Sequence, residues 1–74
     1  MSRLPSCKAA EVARALAKVG FVEEMGRGGH RSYYRERDKR VLTIAWHSGD
    51  LKRGTLAAIL KQAGLSQDEF IALL

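Results

Sequence analysis

The side chains best suited to moving protons near neutral pH in this 74-residue sequence are two histidines, His30 and His47, each close to a glycine. An imidazole titrates close to neutrality, so it can take a proton and return it. His30 follows Gly28-Gly29 directly. Glycines there permit close backbone approach to a ligand and leave the ring free to meet it. A surface loop histidine without a role fits the same position. His47 precedes Ser48-Gly49 and reads first as a loop-anchoring residue, with catalysis as its second reading. Two histidines fall short of the three or four ligands of a zinc site. Cys7 is the sole cysteine, so no intrachain disulfide forms. It lies at a helix start, where a thiolate is favoured, but no histidine is near it in sequence, and a buried, idle thiol is the simpler reading. Gly26-Arg27-Gly28-Gly29 leads into a strand and not a helix, which excludes a phosphate-gripping P-loop.

Charge supplies the second chemical signal. The formal net charge is +5, and it is concentrated in residues 27–53. There Arg27, Arg31, Arg35, Arg37, Lys39, Arg40, Lys52 and Arg53 outnumber Glu36, Asp38 and Asp50, while the flanking segments nearly balance. Such a segment is either a solvated face or the footprint of a polyanion, most simply a nucleic-acid backbone. Lys52-Arg53 precede a helix, where first-turn amides also attract anions. Tyr33 and Tyr34 are sheet-packing residues. Successive strand residues face opposite ways, so one of them points outward between Arg31 and Arg35 and is placed to stack on an unpaired base.

These residues need elements to hold them. Pro5-Ser6 reads as a helix entry with Ser6 as N-cap, followed by an apolar stripe of Ala9, Val12, Ala13, Leu16 and Val19 and a stop at Gly20. Residues 21–25 form a first strand, 26–29 a loop, 31–36 a second strand and 37–40 a polar turn. Val41–Trp46 form a third strand, with Leu42, Ile44 and Trp46 on one face. Helical period returns near Gly54 with Leu56, Ile59, Leu60 and Ala63 and stops at Gly64. Ser66 and Glu69 then make a capping box for a short last helix. The order α-β-β-β-α-α implies an α+β fold, a three-stranded antiparallel meander with helices on one face and a core of Leu16, Leu42, Ile44, Ile59 and Leu60. The expectation is one soluble, cytoplasmic domain over residues 1–74, because no apolar run approaches the roughly 18 residues of a membrane span and the N-terminus lacks a signal-peptide core.

Taken in order, Glu11-Val12 through Leu16, Gly20-Phe21, Gly28-Gly29-His30 with Tyr33, the strand ending in His47, Leu51–Leu56, Ile59-Leu60, Gly64-Leu65-Ser66 and Phe70 resemble the HicA (YcfA-type) toxins over nearly the whole chain. The resemblance implies a fold like that of double-stranded-RNA-binding domains, metal-independent cleavage of mRNA, no cofactor, and inhibition by a HicB-type antitoxin. It implies that His30, in the family's glycine-serine-histidine loop, is the catalytic residue, although Gly29 stands where serine is commonest. Arg27, Gly28, Gly29, Arg31, Arg35, Lys52 and Arg53 would hold the RNA, with His47 and Tyr33 as secondary candidates. A non-catalytic RNA-binding module and a domain whose basic face docks an acidic protein are the alternatives that composition leaves open.

Overall fold

The computed structural model describes residues 4–46 and 49–74, with the backbone alone for residues 25–27. The chain runs α1 (Ala9–Ala17), β1 (Val22–Arg27), β2 (His30–Arg35), β3 (Arg40–Ala45), α2 (Arg53–Ala63) and α3 (Gln67–Leu73), with a 3-10 turn at Glu36–Asp38 between β2 and β3. This is the α+β order expected, with the layout of a double-stranded-RNA-binding domain.

Helix α1 begins later than Ser6 suggests. Its N-cap is Lys8, and Ser6 lies exposed in the lead-in. The Glu11 carboxylate accepts from the Lys8 backbone N–H at 3.0 Å. Lysine carries no acceptor, so only this half of a capping box can form. Burial of Leu4 and Cys7, together with donation from Leu51 N–H to the Cys7 carbonyl at 2.8 Å, holds the lead-in against the body. At the other end Phe21 N–H donates to the Leu16 carbonyl at 3.1 Å across Gly20, whose φ of 97° is a left-handed conformation that glycine adopts at least cost.

The three strands form one antiparallel sheet in the order β1-β2-β3. Strand β1 runs two residues beyond Met25, so the expected four-residue loop narrows to a turn at Gly28-Gly29. A bulge between Glu24 and Arg27 absorbs the extra residue. Strands β2 and β3 each begin one residue earlier than expected, at His30 and Arg40, and Trp46 falls just past the end of β3.

Period two then sorts the sheet. Tyr33, Leu42 and Ile44 face the helices and are buried. Val22 and Val41 face the other way and are 60% and 57% exposed, so the sheet is covered on one side and open on the other. Val12, Ala15 and Leu16 of α1, Leu56, Ile59, Leu60 and Ala63 of α2, and Phe70 of α3 complete one core with Leu42 and Ile44. Within the expected stripe, Ala13 and Val19 are only partly buried, and Ala15 takes a core position instead. Helix α2 stops at Gly64, which is left-handed at φ 74°. A Cβ on Gly64 would also sit 2.8 Å from Arg40 Cζ. The expected capping box closes α3: Ser66 Oγ accepts from Glu69 N–H at 3.0 Å, and Ser66 N–H donates to the Glu69 carboxylate at 2.9 Å.

Candidate functional site

His30 is the first residue of β2, paired with Arg27 on one side and Ala45 on the other. The turn that delivers it is specified locally. Gly28 has φ 56°, a conformation side chains rarely adopt. The Gly29 carbonyl accepts from Trp46 N–H at 2.5 Å, which ties the turn to the end of β3. A Cβ on Gly29 would lie 3.3 Å from the Trp46 carbonyl oxygen, so a serine there needs that oxygen to give by a few tenths of an ångström. Glycine at position 29 therefore fits the close approach of the two strand ends. The His30 side chain is exposed, stands on the open face of the sheet, and makes no hydrogen bond or ion pair with any other described residue.

The open face around it holds few polar groups. Ser32 lies two residues along β2 and opposite Thr43, with the two hydroxyl oxygens 3.5 Å apart. Glu24 of β1 is the partner of Ser32 on its other side and is exposed. Tyr34, half-buried, continues the row toward the far end, where its hydroxyl donates to Glu36. The pairing of Glu24, Ser32 and Thr43 escapes sequence reading because it depends on the register of three strands and on a bulge, which periodicity within one strand does not reveal.

The basic residues are divided by the fold. Arg31 points to the helix side, opposite to His30. Its guanidinium lies 3.9 Å from the centre of the Trp46 ring and 3.6 Å from the Glu23 carboxylate, and its side chain stays about half exposed. Arg35 departs from the expected role. It is 6% exposed, so it is not available to an RNA phosphate. Its guanidinium donates to both Asp38 carboxylate oxygens at 3.0 and 2.8 Å, to the Val19 carbonyl at 3.0 Å and to the Ala63 carbonyl at 3.1 Å, and it stacks over Phe21. Orphan carbonyls at helix ends attract such a cation, and Arg35 joins the ends of α1 and α2 to the sheet. Arg40 acts beside it, donating to Asp38 at 3.0 Å and to the Gln62 carbonyl at 3.0 Å. The two arginines hold the Asp38 carboxyl down at about 2, with the Arg35 hydrogen bonds the larger cause.

Tyr33 is also corrected. It is core, 4% exposed, and burial raises its phenol above the ordinary range, so it offers no ring to a base. The outward tyrosine is Tyr34. Tyr33 instead lines a cleft of about 380 Å³ on the helix side, bounded by Ala13 and Ala17 of α1, Phe21 and Trp46. The Trp46 indole N–H lies there beside the Tyr33 hydroxyl without closing a hydrogen bond.

Lys52 and Arg53 are exposed at the start of α2, Lys52 as its N-cap without a side-chain cap bond. His47 and the side chain of Arg27 lie outside the described residues. Cys7 is 1% exposed and burial raises its thiol, which fits an idle core residue. Among the described residues, no three histidine, cysteine, aspartate or glutamate side chains gather as a metal-binding set, and no helix is long and apolar enough to cross a membrane.

The family model described as the HicA toxin of bacterial toxin–antitoxin modules matches residues 9–65, from the first residue of α1 to just beyond Gly64. The chain belongs to the HicA family and is a toxin of a toxin–antitoxin module. No curated protein matches it.

Proposed function

We propose that this toxin is an endoribonuclease that cuts mRNA in the cytoplasm with His30 as its catalytic residue. One observation carries the reading: the histidine in the family's loop is presented, exposed and unpartnered among the described residues, by a glycine turn tied to the end of β3. RNA supplies its own nucleophile, the 2′-OH, so the protein needs a proton acceptor, a proton donor and charge stabilisation, and no metal. His30 serves as one of the proton carriers. Arg31 on the other side of the same strand end, and Lys52 and Arg53 at the start of α2, hold phosphates of the strand on either side of the cut. Arg27 belongs with them by sequence. A HicB-type antitoxin silences the toxin by covering the His30 face.

The test compares wild type, His30→Ala and His47→Ala on one RNA, with chelator present and circular dichroism as the fold control. Loss of one acid–base group lowers rates by about 10²–10⁴-fold. His30→Ala is expected to stay folded and to bind RNA and antitoxin while cleavage and growth arrest disappear, because its exposed ring leaves no cavity. A folded His30→Ala that cuts at the wild-type rate overturns the assignment. Wild-type protein that binds RNA without yielding fragments makes this a non-catalytic RNA-binding module instead.

A further inference from the structure

His30 alone supplies one proton carrier, whereas cleavage through the 2′-OH uses an acceptor for the attacking hydroxyl and a donor for the departing 5′-oxygen. We infer that Glu24 is the second catalytic residue, the general base that takes the 2′-OH proton while His30 acts as the acid. The inference rests on the ribonuclease reading above and adds a residue to it.

The argument is one of register. Glu24 pairs with Ser32, and His30 lies two residues from Ser32 on the same strand, so Glu24 and His30 share the open face as diagonal cross-strand neighbours. Diagonal neighbours stand about 7–8 Å apart at Cα, within reach of long side chains. That separation leaves room for a phosphate and its adjoining ribose between the two groups. Glu23, the neighbouring carboxylate, cannot substitute. It faces the helix side, accepts from the Tyr33 hydroxyl at 3.4 Å and pairs with Arg31. Glu24 makes no hydrogen bond or ion pair with any other described residue, although it lies on the edge strand of a strongly basic chain. Among the described side chains, the titratable groups facing it on the open side are its two diagonal neighbours on β2, His30 and Tyr34, and the Tyr34 hydroxyl donates to Glu36. Among the described residues, no element packs over this face, where Val22 and Val41 are exposed. The Ser32 hydroxyl, opposite Glu24 and two residues from His30, lies 3.5 Å from the Thr43 hydroxyl on the far strand, and this pair is placed to donate to a non-bridging phosphate oxygen.

The step balances. The Glu24 carboxylate removes the 2′-OH proton, and the 2′-oxygen forms a bond to phosphorus. The bond from phosphorus to the 5′-oxygen breaks, and its electron pair leaves on that oxygen, which takes a proton from the His30 imidazolium. The products are a 2′,3′-cyclic phosphate end and a 5′-hydroxyl end. Solvent returns the two carriers to their starting states.

The experiment measures cleavage of one RNA across pH by wild type, Glu24→Gln, Glu24→Asp and His30→Ala, with RNA binding followed separately and the fragment ends identified. Wild type is expected to show a bell-shaped profile and cyclic-phosphate ends. Glu24→Gln should lose about 10²–10⁴-fold in rate, lose the low-pH limb of the bell, and bind RNA at least as well as wild type, since a negative charge has been removed. Glu24→Asp should restore part of the rate together with the low-pH limb. If His30→Ala is inactive but Glu24→Gln keeps the wild-type rate and profile, Glu24 is not the base and the histidine reading stands alone. If wild type yields no fragments, or His30→Ala cuts normally, the ribonuclease reading fails and takes this inference with it.

Discussion

His30 and Arg35 are five positions apart on β2, which puts them on opposite faces of the sheet. One is open to solvent, and the other is packed between two helix ends. The same parity places Ile44 at 0% exposure and Val41 at 57% on β3. Ile44→Ala removes a fully buried side chain from the core and is expected to cost about 2–5 kcal/mol, a large share of the stability of so small a domain. Val41→Ala, on the open face, should stay within about 0.5 kcal/mol of wild type. Paired denaturant melts check both values. The reverse ranking would mean that β3 is out of phase by one residue.

At the scale of elements, the β2–β3 connection does more than turn the chain. Asp38 accepts from Arg35 and Arg40, which in turn donate to carbonyls at the ends of α1 and α2, so one carboxylate organises the junction of two helices and the sheet. Lys39 completes the turn in a left-handed conformation at φ 57°, steadied by its ion pair with Glu36. The folded Asp38 carboxyl titrates at about 2, lowered first by its hydrogen bonds to Arg35, against about 3.9 in an unfolded chain. A folded value below the unfolded one means that the unfolded state binds protons first as acid is added. The stabilisation from Asp38 is therefore complete above about pH 4 and is lost as pH falls toward 2. Thermal melts at pH 7, 4 and 2 should show Asp38→Asn less stable than wild type at pH 7, with the gap closing at pH 2. A constant gap across that range would show that the loss comes from something other than this charge. Arg35→Lys is expected not to substitute, because an ammonium cannot bind both carboxylate oxygens and two separate carbonyls in the planar arrangement used here.

At the scale of the molecule, the fold divides the basic residues it describes between structural clamps and exposed positions. Arg35 and Arg40 are held at the helix ends, and Lys39 is paired with Glu36. Arg31, Arg37, Lys52 and Arg53 remain exposed for a polyanion, with Arg27 belonging to the same basic segment by sequence. Binding to single-stranded RNA should therefore weaken with salt at a modest slope, about −0.7 for each phosphate neutralised. Lys52→Ala should reduce the slope by about that amount, and Lys39→Ala should leave it unchanged. Titrations of one RNA at several salt concentrations measure both. A flat dependence in the wild type would remove phosphate contact from the account, and an equal effect of Lys39→Ala would extend the footprint to the opposite end of the sheet.

Some of this was settled by local chemistry and was legible in the chain. Gly64 and the Ser66–Glu69 box end one helix and start the next through bonds between near neighbours, and alternation along Val41–Ala45 marks the buried face of β3 without reference to any other strand. His30 beside Gly28-Gly29 was visible for the same reason. The N-cap of α1 was not, because burial of Leu4 and Cys7 and the reach of Glu11 outweighed the capping preference of Ser6. The fate of the arginines was not legible either. A guanidinium in a strand is a phosphate ligand or a structural clamp according to what lies opposite, and what lies opposite Arg35 arrives from Val19 and Ala63, 16 and 28 residues away. That Glu24 and His30 share the open face likewise depends on the pairing of β1 with β2 beside a bulge. Contacts between distant segments are decided only when the core packs, because strand register and helix placement are set by the apolar area they bury together and not by the residues that come to face one another as a result.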